Sequence, residues 1–84
     1  MQKVTFETIR VADGMKFNDL SNEVSRTYVF PGGDERVIEA PVALNVSRSG
    51  GHRVITETGR VHYIPKGWIE LIWVPKPGTN HVDF

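Results

Sequence analysis

At 84 residues, with 39% hydrophobic and 24% charged side chains, the chain has the composition of one small globular domain, which argues against a disordered chain or a coiled coil. Ten basic and ten acidic side chains cancel, so no global field draws in nucleic acid or an anionic membrane, and any electrostatic site must be local. The absence of cysteine excludes a disulfide framework, a thiolate metal site and a thiol nucleophile.

In chain order, Gln2 to Val11 reads as a first strand. Its phase change from Val4 and Phe6 to Ile9 and Val11 predicts a bulge near Glu7 and Thr8. This opening stretch has no apolar signal region, and no run approaches the ~20 apolar residues of a spanning helix. A soluble, cytoplasmic protein is expected. "GMKFNDLSNEV" has room for a turn or two of helix, and its Asn, Asp and Ser favour a loop as readily. Strands are then predicted at Val24 to Phe30, Arg36 to Glu39, Val42 to Arg48, His52 to Glu57, Arg60 to Ile64 and Trp68 to Val74. The intervening turns are Pro31-Gly32-Gly33-Asp34, Gly50-Gly51, Thr58-Gly59 and Pro65-Lys66-Gly67. The tail "PKPGTNHVDF" reads as frayed or as an arm reaching a neighbour. The whole predicts a single all-β domain over residues 1–84, an antiparallel meander forming a small sandwich or partly open barrel. A cysteine-free core this thin also predicts a homo-oligomer.

A two-residue Gly50-Gly51 turn would pair Arg48 with Arg53, a like-charge contact that costs up to ~1 kcal/mol and that a bound anion would relieve. Continuing the register through Thr58-Gly59 puts Ile55 beside His62. A three-residue Pro65-Lys66-Gly67 loop then puts Ile64 across from Trp68 and His62 across from Glu70. One face collects Val54, Val61, Tyr63, Ile69, Leu71 and Trp73 as a core. The other carries Arg48, Arg53, His62 and Trp68. The candidate ligand-binding set is therefore Arg48, Gly50, Gly51, His52, Arg53, His62, Lys66 and Trp68. The arginines would grip a phosphate or carboxylate, the glycines would let it approach, and Trp68 would stack on a ring.

Each of these residues has a plainer role open to it. The arginines can be solvated, Trp68 can be core or subunit interface, and a bulge at the glycines would separate the arginines. His62 with Glu70 fits a cross-strand pair better than a general base and its orienting carboxylate. His52, His62 and His81 lack a metal-ligand spacing. "PGGD" and "SGG" lack the Lys-Ser/Thr of a P-loop. Asn45-Val46-Ser47 matches the N-glycosylation triplet without a secretory context. No enzyme activity, cofactor, metal, membrane or duplex nucleic-acid partner is expected.

The run "LNVSRSGGHRV…GRVHYIPKGWIELIWV", residues 44–74, resembles a segment of short uncharacterised proteins of tailed bacteriophages. That resemblance implies an infected bacterial cytoplasm as the working environment. Small phage proteins include sponges that sequester host nucleotide signals without turning them over, an anti-defence role. The expectation is thus a non-enzymatic binder of an anionic, nucleotide-like molecule. Its alternative is a structural or inhibitory phage protein that docks on another protein through an aromatic face.

Overall fold

The computed structural model describes residues 3–6 and 16–78. Most of the predicted first strand, its bulge, and the end of the tail with His81 lie outside the described residues. Seven strands are described: β1 (Asn18–Asp19), β2 (Glu23–Val29), β3 (Glu35–Glu39), β4 (Pro41–Val46), β5 (His52–Thr56), β6 (Val61–Ile64) and β7 (Glu70–Pro75). The "GMKFNDLSNEV" stretch thus contributes the short β1, with no helix among its described residues. The strands form two antiparallel sheets, ordered β1-β4-β5-β6 and β3-β2-β7, which pack as an open sandwich rather than closing into a barrel.

The described chain changes sheets three times, first between β1 and β2. At Ala40, whose φ is 50°, the N–H donates to Val24 O of β2 while the carbonyl accepts from Glu57 N just beyond β5. This corner carries the strand directly from β3 into β4. After β6 the chain does not turn back on itself. It crosses to the other sheet, where Ile69 N bonds Val29 O and β7 pairs with β2. The expected pairings of Ile64 with Trp68 and of His62 with Glu70 are therefore absent. Pro65 to Ile69 make a sheet-to-sheet connection, not a hairpin.

Three hairpins use one turn. Phe30, Ser47 and Thr56 each donate their N–H to the carbonyl four residues on and accept from the N–H three residues on, at 2.8–3.1 Å. The third loop residue is Gly33, Gly50 or Gly59, with φ of 93°, 94° and 86°. This is the three-residue loop whose last position must be left-handed, which glycine reaches without a Cβ penalty.

The shared geometry corrects the predicted register. Gly50 is the last residue of a three-residue loop, not the first of a two-residue turn, so Val46 opposes His52 and Asn45 opposes Arg53. Arg48 sits in the loop and has no cross-strand partner. At the next hairpin the extra loop residue slips the pairing by one, placing Ile55 opposite Val61 and Val54 opposite His62. A one-residue slip exchanges faces. Of the expected core face, Val54 is buried and Leu71 and Trp73 are half-buried, whereas Val61, Tyr63 and Ile69 are exposed.

The core is instead Leu20, Tyr28, Ile38, Leu44, Val54 and Ile64, with Phe30, Trp68 and Leu71 packed against its edge. Arg26 and Glu23 lie among these apolar groups at 0% exposure. Residues three apart on a regular strand face opposite ways, but the β2–β7 register shifts between Glu23 and Ser25. The extra residue turns Glu23 inward beside Arg26.

Candidate functional site

Asn45, Arg53 and Tyr63 form one cross-strand row on the outer face of the four-stranded sheet. Arg53 Nη1 donates to Asn45 Oδ1 at 2.7 Å, and Asn45 Nδ2 donates to Lys16 O at 2.8 Å. The guanidinium carbon lies 5.7 Å from the centre of the Tyr63 ring, within cation–π range. No carboxylate pairs with Arg53, Arg48 or Lys66 among the described residues.

Tyr63 extends its hydroxyl over the β4–β5 loop. The Ser49 hydroxyl lies 3.1 Å from it and 3.0 Å from the Ser47 hydroxyl, and Ser47 reaches Tyr63 in a longer contact of 3.5 Å. These hydrogen bonds, Ser47's and Ser49's, hold the phenol below its ordinary pKa, and the Arg53 charge works in the same direction. A phenol so biased is a better donor to an incoming anion.

Both glycines are needed for this arrangement. A Cβ on Gly50 would meet the Lys66 side chain at 3.0 Å, so Lys66 lies directly over the turn. A Cβ on Gly51 would overlap the Tyr63 hydroxyl and fall 2.9 Å from the Ile64 carbonyl oxygen. Gly51 is thus a seat for Tyr63 rather than a turn residue. Three hydroxyls and the Lys66 side chain meet over this loop, to which Arg48 belongs, with Arg53 beside it against the Tyr63 ring.

The other predicted site residues are elsewhere. Trp68, half-buried, packs its ring at the core edge, 4.9 Å from Tyr28 and 4.7 Å from His52 between centroids, away from the β4–β5 loop hydroxyls. His52 points inward, where its Nδ1 lies 2.7 Å from the Tyr28 hydroxyl. His62 lines a groove of about 650 Å³ between the two sheets, together with Val37, Glu39, Thr58 and Arg60. That groove borders the β5–β6 turn, where Thr56 and Thr58 repeat the hydroxyl pair of Ser47 and Ser49 at 3.0 Å. The pair by itself is turn chemistry. The third hydroxyl, that of Tyr63, sets the β4–β5 loop apart.

The interior holds a second polar assembly. Arg26 donates to both Glu23 carboxylate oxygens at 3.0 and 2.8 Å and to the Tyr28 hydroxyl at 3.2 Å. Burial opposes the guanidinium charge, but the bonds to Glu23 and Tyr28 outweigh it and raise its pKa. Because Arg26 can only donate, the Tyr28 O–H is available to donate to His52 Nδ1, which is then unprotonated. Burial, with the Arg26 charge adding, lowers the His52 pKa to about 4. Burial likewise pushes the Tyr28 phenol up. With Glu23, Arg26 and Tyr28 at 0% exposure and His52 at 7%, no substrate atom reaches this chain of groups, and it serves the fold.

Sequence reasoning passed over Tyr63, Ser47 and Ser49. The repeated Ser/Thr-x-Ser/Thr-Gly of "SRSG" and "TETG" was the signal for two equal turns, and it fixes Tyr63 on the outer face. Among the described residues no group of three His, Asp or Glu side chains is placed to hold a metal ion, and no helix is long and apolar enough to cross a membrane. No family model, no curated protein and no solved structure matches the chain.

Proposed function

We propose that the chain is a non-enzymatic binder of a small anionic ligand, a phosphate- or carboxylate-bearing molecule taken up at the β4–β5 loop. The supporting observation is the hydroxyl cluster of Ser47, Ser49 and Tyr63, seated on Gly50 and Gly51 and flanked by Arg53 and Lys66, which pair with no carboxylate among the described residues. Hydroxyl donors and cations on a single surface recognise an oxyanion through charge-assisted hydrogen bonds. The facing arginine clamp is not part of this reading, and neither is a Trp68 platform. Tyr63 is the exposed ring at the site. A nucleotide enters as a phosphate carrier. The resemblance to tailed-phage proteins sets the expected environment, an infected bacterial cell in which sequestering such a molecule would blunt a host signal.

Calorimetry against inorganic phosphate and a panel of nucleoside phosphates tests this. Tyr63→Phe removes one hydroxyl contact and should weaken binding roughly five- to tenfold, as for a net bond of ~1 kcal/mol. Lys66→Ala removes a charged contact and should cost roughly tenfold or more. Both side chains are exposed, so the melting temperature should hold. Arg53→Ala is a poorer probe, because it strips the buried Asn45 Oδ1 of its partner. No binding by the wild type, or binding indifferent to both substitutions, would remove the proposal.

A further inference from the structure

An edge strand presents a row of backbone groups that its own sheet does not use, and sheets guard such rows with charged side chains, proline or a bulge. Of the described edges, β3 carries Glu35, Arg36 and Glu39, β7 ends at Pro75, and β1 is only two residues long. β6 is unguarded. Its sequence is Val-His-Tyr-Ile, without Lys, Arg, Asp, Glu or Pro, and its register with β5 is unbroken.

Which groups this edge offers follows from the hairpin. Thr56 N donates to Arg60 O where β5 turns into β6, and bonded and non-bonded pairs alternate from there. Val54 with His62 and His52 with Ile64 are therefore the bonded pairs, so the N–H and C=O of Val61 and Tyr63 are directed away from β5. No strand lies beyond them among the described residues. Their side chains share the outer face and are 61% and 46% exposed.

A two-fold axis beside His62 satisfies all of these groups with a second copy of the edge. Val61 of each copy then lies opposite Tyr63 of the other, and each such pair exchanges two backbone hydrogen bonds. Each pair also sets a β-branched side chain against an aromatic ring. Neighbouring registers fail. With the axis at Tyr63, Val61 would face Pro65, which has no N–H to give. With the axis at Val61, Tyr63 would face Gly59, whose N–H already bonds Thr56 O. The same operation on β3, about Val37, would set Glu35 opposite Glu39, and like charges directly opposite repel.

We infer that β6 is a strand-addition edge whose occupant is β6 of a second copy, so that two four-stranded sheets join into one antiparallel sheet. Such a contact is isologous and closes at two subunits. Because β6 has four residues, its footprint falls below the ~800 Å² per partner of a stable interface, and the dimer is weak and concentration-dependent. The inference does not rest on the anion site. The Tyr63 ring meets the second copy, while its hydroxyl lies over the β4–β5 loop beside Ser49.

Sedimentation velocity over a wide concentration range decides it. The wild type should pass from monomer to dimer and stop there. His62 faces its own counterpart at the axis, so His62→Glu or His62→Lys alone should weaken the dimer roughly fivefold through like charge, and their equimolar mixture should restore it as a heterodimer. Val61→Pro removes an N–H that serves only the second copy, a change an edge strand tolerates, and should leave a monomer. Tyr63→Phe keeps the ring and should dimerise like the wild type while losing anion affinity, so the two proposals fail separately. Circular dichroism checks that each variant folds. A monomeric wild type, growth beyond a dimer, a dimer that Val61→Pro and both His62 variants leave intact, or a mixture no tighter than its components would each overturn the inference.

Discussion

Replacing Arg26 with alanine should cost about 3–5 kcal/mol of stability, a large part of the ~5–15 kcal/mol that holds a domain of this kind together. The substitution leaves the Glu23 carboxylate at 0% exposure with its bidentate partner gone and strips a donor from the Tyr28 hydroxyl. The loss reflects an uncompensated buried charge rather than the net value of the pair. Exchanging both residues, Glu23→Leu with Arg26→Met, should therefore be far milder than either single change and near neutral in stability. Urea unfolding of the three variants checks this. A loss below about 1 kcal/mol for Arg26→Ala would mean that water reaches Glu23 in the folded protein.

Stability should also fall as the solution is acidified through the range set by His52. The folded imidazole has a pKa of about 4 against 6.5 for the free side chain, so the unfolded chain takes up the proton first. The contribution is complete above pH 6.5 and is lost progressively as pH falls toward 4, where the folded state protonates too and the loss levels off. The difference amounts to about 3 kcal/mol. The physical cause is visible in the chain of bonds: a protonated Nδ1 could no longer accept from Tyr28 and would place a second cation near Arg26. His52→Gln should flatten the urea-midpoint profile between pH 6.5 and 4 while lowering stability at neutral pH. An unchanged profile in that variant would assign the acid sensitivity to other groups.

Strand positions were legible because runs of β-branched and aromatic residues between Gly and Pro turns leave little other conformation, and β2 through β7 fall within two residues of where the pattern places them. Pairing was less legible because it depends on loop length. "SGGH" supports a two-residue Gly-Gly turn and a three-residue loop ending at Gly50 equally well, and the wrong choice moves Arg48 off the strand. The destination of the chain after "PKG" was hidden for a different reason: whether β7 returns to β6 or crosses to β2 is decided by long-range packing of Trp68 against Tyr28 and His52. Glu23 and Arg26 were invisible as core residues because charged side chains three apart share a strand face only through a bulge. The glycines beside the basic residues do mark a loop, with Arg53 next to it on β5 and the Lys66 side chain lying over it from the connection after β6. Tyr63 was assigned to the core by the slipped register.

The most direct test of the anion site is an amide-resolved NMR titration of the folded protein with inorganic phosphate, followed by a nucleoside phosphate. Saturable shifts should centre on the amides of Ser47 through Arg53 and of Tyr63 through Gly67, and Tyr63→Phe should weaken them. Shifts centred on Arg60 and His62, or none that saturate, would contradict the account and leave the β4–β5 loop as a turn whose hydroxyls bond only one another.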